Sequence, residues 1–167
     1  SVVDVMTIDR PGGLGVPRLA MDGIEVDVPA GWECRIRRGG KHEDSATIMP
    51  VLHAATVPLP SDRADYGGGV VEKLSDGDVF VALIEFGEEA VGSALYPEVD
   101  QFPSVDQSLF HPFRLQRRIS GQAGTQVFFT YRGRAFCLYV VLGSFGRRVS
   151  LAARANQLIR TMAVESR

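Results

Sequence analysis

Thr125-Gln126-Val127-Phe128-Phe129-Thr130-Tyr131, then Arg132-Gly133, then Arg134-Ala135-Phe136-Cys137-Leu138-Tyr139-Val140-Val141-Leu142: this stretch decides the fold. Both flanks are rich in β-branched and aromatic residues, which suit a pleated, buried surface. The Arg-Gly dipeptide between them fits a two-residue hairpin turn, because glycine accepts the positive φ that such turns need. In that register Phe129 lies opposite Phe136, Val127 opposite Leu138 and Thr125 opposite Val140. One face of the hairpin is therefore apolar and needs a cover.

The cover follows in the chain. From Val149 to Met162 the residues Leu151, Ala155, Leu158, Ile159 and Met162 recur at i, i+4, i+7, i+8 and i+11, one stripe of an amphipathic α-helix. Ser150 is placed as its N-cap, and Arg154 and Arg160 fall away from the stripe.

Working back toward the N-terminus, Val79 to Phe86 is β-branched, aromatic and bounded by glycine, a strand. Ile24 to Val28 alternates apolar and acidic residues, and Trp32 to Arg37 places Trp32, Cys34 and Ile36 on one face and Glu33, Arg35 and Arg37 on the other. Val51 to Leu59 reads as a further strand closed by Pro58 and Pro60, and Val70 to Leu74 as a helical turn or two after Gly67-Gly68-Gly69. Phe113 to Ile119 alternates as a strand would, whereas residues 87 to 108 show no period and form an unusually long loop. Residues 1 to 20, broken by Pro11 to Pro17, read as an N-terminal arm whose strand-like start could add to a sheet of this or another subunit. The expected fold is thus one α+β domain over residues 21 to 167, an antiparallel sheet covered by helices that include the C-terminal one.

Composition agrees with a globular chain: 167 residues, 45% hydrophobic and 23% charged. The longest apolar runs are strand-length, so no membrane span is expected. No signal peptide is visible, which makes the cytoplasm the default location and leaves a removed export signal open, since the chain starts at Ser1. Cys34 and Cys137 have no CxxC or Cys/His spacing, so neither a metal site nor a cofactor motif is expected, and each reads as a small buried apolar residue.

Charge is unevenly distributed. Residues 1 to 108 carry 8 Lys and Arg against 19 Asp and Glu, a balance of −11, while residues 109 to 167 carry 10 Arg against the single Glu165, a balance of +9. Arg114, Arg118, Arg132 and Arg134 are the candidate anion-binding residues, since guanidinium groups bind carboxylate or phosphate in bidentate fashion. The matched magnitudes favour the alternative that these arginines pair internally with the acidic first part. Glu85 shares its strand face with Val81 and Leu83, and a carboxylate buried there would require a cation or a raised pKa, which makes it the candidate perturbed acid; the favoured alternative is that it has reached the strand end and solvent, as residues beside a terminal glycine usually do.

No catalytic residues are assigned. His42, His53 and His111 have no Gly-x-Ser-x-Gly elbow or positioned partner beside them, and the glycine triplet lacks both nucleotide-binding spacings. An RNA-binding aromatic signature is also missing, which disfavours nucleic acid as a partner.

A strand running into Val28-Pro29-Ala30-Gly31-Trp32, followed by antiparallel strands, a hairpin and a final helix, resembles the PsbP-like superfamily of α/β/α sandwiches. The resemblance spans about residues 24 to 163 and implies a fold whose members are mostly non-enzymatic. It brings no functional residue with it. The expectation is a non-enzymatic binding domain for a protein partner or a second copy of itself; the alternatives are a small-molecule or anion-binding protein using the arginine-rich surface, and a hydrolase with a pocket around Glu85, His53 and the glycine loop.

Overall fold

The runs richest in β-branched and aromatic residues take the centre of the larger sheet. The computed structural model describes residues 7–8, 15–38, 49–62 and 64–167. Its five-stranded sheet contains β4 (Glu33–Arg37), β5 (Val51–Ala55), β6 (Val79–Phe86), β7 (Ala123–Tyr131) and β8 (Arg134–Leu142), in the order β4-β5-β6-β8-β7, with every pairing antiparallel. A second sheet is built from β1 (Thr7–Ile8), β2 (Arg18–Met21), β3 (Ile24–Asp27) and β9 (Ala163–Val164), in the order β1-β2-β3-β9. One α-helix, α1 (Arg148–Ile159), is present among the described residues.

The hairpin has the expected register, with Phe129 opposite Phe136, Val127 opposite Leu138 and Thr125 opposite Val140. Its turn puts Arg132 at φ 53° and Gly133 at φ 75°, the paired positive values of a type I′ turn. Every residue of β8 is buried, as is appropriate for a strand flanked by β6 and β7 and covered on both faces.

The two faces have different covers. On one, Leu52, Val81, Leu83, Phe136 and Leu138 form a single core with Leu151, Ala155, Leu158 and Ile159 of α1 and with Leu19, Ile24 and Val26 of the small sheet. On the other, Phe80, Ala82, Cys137, Tyr139 and Val141 pack against Leu59, Val70 and Val71, which come from the connection between β5 and β6. That connection forms one 3-10 turn, Val71–Lys73, where helical turns are expected after the glycines.

Several elements depart from the sequence expectation. The helix begins earlier than expected: its N-cap is Arg147, three residues before Ser150, which lies inside the first turn with its hydroxyl donating to the Arg147 carbonyl (3.2 Å). The strand expected over Phe113 to Ile119 does not form. Pro112 has no N–H to give a ladder and opens a 3-10 turn, Pro112–Arg114, after which Leu115 and Ile119 turn onto the second core. The strand begun at Val51 ends at Ala55, where Thr56 turns to the next element: its hydroxyl bonds Asp78 Oδ1 (2.9 Å) and accepts from the Val79 N–H (3.0 Å).

The arm expected over residues 1 to 20 gives its last residues to the small sheet. β2 starts at Arg18, Leu19 is a core residue, and Thr7–Ile8 pairs with β2 of the same chain. Arg18 is held by Asp27 Oδ1 (2.7 Å) and Glu25 Oε2 (3.0 Å) across the β2–β3 pair.

The long loop has a structural use. At the outer edge of β7, the Val99 N–H donates to the Thr130 carbonyl (3.0 Å), the Thr130 N–H to the Pro97 carbonyl (2.8 Å), and His111 and Gly124 exchange two bonds of 3.1 Å. Both ends of this edge are therefore capped, which limits its pairing with other chains. Cys34 and Cys137 are free and belong to the two opposite cores. Three strand spacings, roughly 14 Å, separate their strands, so they cannot form a disulfide without rebuilding the sheet. Among the described residues no helix is long and apolar enough to cross a membrane.

Candidate functional site: a row of arginine and aromatic side chains

Where the chain turns from the long loop into β7, and again where β8 hands over to α1, five side chains form a row. The His111 backbone is pinned to Gly124 of β7, and its Nδ1 accepts from the Phe113 N–H (3.1 Å), which starts the 3-10 turn. Glycine at 124 permits this approach: a Cβ there would lie 2.7 Å from Leu115 Cδ2 and 3.0 Å from the Arg114 carbonyl oxygen. The imidazole of His111 stacks on Phe113, with centroids 5.0 Å apart and planes 29° apart. The Arg118 guanidinium lies 4.5 Å from the Phe113 centroid. On its other side His111 meets Phe145 edge-on at 6.4 Å, and the Arg148 guanidinium lies 4.4 Å from the Phe145 centroid. Phe145 is fixed by its N–H to the Gly121 carbonyl (2.8 Å), and its own carbonyl accepts from Arg148 Nη1 (3.2 Å).

The row is Arg118, Phe113, His111, Phe145, Arg148, with Arg114 and Arg147 beside it in the chain. Phe113 is 68% exposed, far outside what a core role would require. Among the described residues no carboxylate pairs with Arg114, Arg118, Arg147 or Arg148; Arg114 donates only to the Leu109 carbonyl (2.7 Å). A guanidinium lying on a ring keeps its N–H edge open, so each end of the row can take a carboxylate or phosphate in bidentate fashion.

The four arginines read from the sequence as an anion site do not come together. Arg114 and Arg118 lie near Gly124, whereas Arg132 and Arg134 lie beyond Tyr131, roughly 23 Å away along β7. Arg132 rests near the Tyr131 ring and donates to the Val164 carbonyl (3.2 Å).

Arg134 is buried on the helix-covered face, where its Nε and Nη2 bind Glu85 Oε2 (3.0 Å) and Oε1 (2.5 Å). It also donates to the carbonyls of Asp22 (2.9 Å) and Glu165 (3.3 Å). The cation that a buried Glu85 requires is thus supplied by Arg134, with Arg167 Nη1 a further 3.5 Å contact. These groups border a cavity of about 230 Å³ at the hairpin end of the sheet. Pairing of late arginines with early carboxylates is made here and by Arg117 with Glu72 (3.3 Å).

His53 lies on the opposite face of the sheet from Glu85, so the two share no pocket. Its Nε2 donates to the Asp65 carbonyl (2.9 Å), and its ring packs 5.3 Å from Phe80. His42 lies outside the described residues. The row itself crosses two connections, and the sequence reading did not single out Phe145 or join aromatic rings to the arginines; the signal available was the absence of any Asp or Glu between Leu109 and Val164. No family model matches this chain, and no curated protein or solved structure matches it at a significant level.

Proposed function

We propose that this protein is a non-enzymatic interaction domain that docks an acidic segment of a protein partner onto the row from Arg118 to Arg148. The observation that carries the reading is the pair of ring-backed guanidinium groups, Arg118 and Arg148, without a carboxylate partner among the described residues. Exposed aromatic and arginine side chains are the residue types that dominate binding energy at protein interfaces. A PsbP-like architecture, whose members mostly work by binding, belongs to the same proposal and is supported by the antiparallel sheet with α1 in the core of one face.

The test is fluorescence anisotropy with a labelled polyglutamate peptide. Binding is expected at low salt, falling steeply as salt is added, because exposed ionic contacts are screened beyond roughly 8 to 10 Å. Arg118→Gln with Arg148→Gln should abolish it while leaving the thermal midpoint close to the parent's, and Arg160→Gln, an exposed change on the far end of α1, should not. Equal binding by the double variant refutes the site. Tighter, salt-steep binding of a single-stranded oligonucleotide than of the peptide would replace the acidic protein with a nucleic acid.

A further inference from the structure

A second site lies on the loop-covered face of the sheet, apart from the row. It is a cavity of about 250 Å³ whose floor is formed by Tyr139 and Val141 of β8 together with Val71. Tyr66 and Leu115, both half-buried, stand as its walls, and Tyr66 meets Tyr139 edge-on at 5.3 Å. Burial raises the Tyr66 phenol to about 12, so the aromatic wall is uncharged at neutral pH. An apolar cavity of about 150 Å³ takes benzene, so this one has room for a benzyl group.

The mouth of the cavity carries charge of both signs. Glu72 and Arg117 line it with side chains 37% and 74% exposed, so a ligand arriving from solvent can reach both. Glu72 Oε2 accepts from the Gly69 N–H (2.8 Å), which fixes the carboxylate at the rim, while its Oε1 faces Arg117 Nη1 at 3.3 Å. That one long contact between exposed side chains contributes little to stability, so a ligand can displace it at small cost. It leaves most N–H groups of Arg117 open among the described residues.

We propose that this cavity binds a free α-amino acid with an aromatic side chain, its ring against Tyr66 and Leu115, its carboxylate on Arg117 and its ammonium on Glu72. A zwitterion carries its two charges on one carbon, and the rim holds the complementary charges side by side. The apolar floor takes the ring and disfavours a charged side chain in its place. Every group assigned to the amino-acid ends is exposed, and the ring needs only the space of the cavity. The site is independent of the acidic-partner reading and stands or falls separately.

L-Phenylalanine tests it on the unmodified chain by protein-observed NMR titration, beside 3-phenylpropionate, phenethylamine and L-alanine, which lack the ammonium, the carboxylate and the ring. Phenylalanine is expected to bind saturably, shifting resonances of Val71, Glu72, Arg117 and Tyr139, and at least about fivefold more tightly than each of the other three. Glu72→Gln, which keeps the acceptor for Gly69, should remove the preference over 3-phenylpropionate, and Arg117→Gln the preference over phenethylamine; both are exposed changes whose folding the spectrum checks. Absence of saturable phenylalanine binding, equal affinity for phenylalanine and any of the three, or shifts centred on Phe113 and Phe145 instead would each overturn the proposal.

Discussion

Removing the carboxylate of Glu85 should be among the most damaging single changes in this protein, and removing its partner as well should restore most of the loss. Glu85 and Arg134 are 1% and 2% exposed at their side chains, so solvent screening does little to moderate their interaction. Glu85→Leu leaves a buried guanidinium with only the Asp22 and Glu165 carbonyls, and a buried charge stripped of its partner costs about 3–5 kcal/mol. Arg134→Met should cost less within that range, because Arg167 Nη1 remains 3.5 Å from Glu85 and can still offset its charge. The double variant buries no ion at all. Replacing a buried pair with apolar side chains is often neutral or stabilising, and the main loss is then two hydrogen bonds to carbonyls, each about 1 kcal/mol. A double-mutant cycle by urea denaturation, followed by Trp32 fluorescence, should therefore give a coupling of at least about 3 kcal/mol that is nearly unchanged in high salt. Additive effects, or a Glu85→Leu variant within about 1 kcal/mol of the parent, would refute the view that this pair ties the turn between β2 and β3 and the C-terminal segment to the larger sheet.

Two further outcomes are expected. Leu158→Ala, at a position 1% exposed in the core beneath α1, should lower stability by about 2–5 kcal/mol in the same assay, and an unchanged midpoint would show that the helix is not docked. Burial pushes the thiols of Cys34 and Cys137 up to about 12, so the folded chain retains protons that an unfolded chain, with its thiols at about 9, releases. Stability should thus be indifferent to these groups below pH 9 and fall as pH rises from 9 toward 12, and a thiol reagent at pH 8 should modify neither cysteine until urea is added; rapid labelling of the native protein would contradict their burial.

Much of this architecture is written locally in the chain. The Arg132-Gly133 turn, the cross-strand partners of β7 and β8, the bounds of β6 and the stripe Leu151, Ala155, Leu158 and Ile159 follow from neighbouring residues, because turn chemistry and side-chain period are short-range properties. What a buried Glu85 needs, a cation or a raised pKa, was legible, but its burial was not, since strand ends beside glycine are usually exposed. Which cation it finds was not, since 49 residues separate Glu85 from Arg134 and only the adjacency of β6 and β8 brings them together. The same holds for the alternation at Phe113 to Ile119, where tertiary packing overrode a strand-like pattern and sent Leu115 and Ile119 to the second core. The arginine–aromatic row arises from connections brought together across the sheet, and a pattern of neighbours carries no record of contacts made at that range.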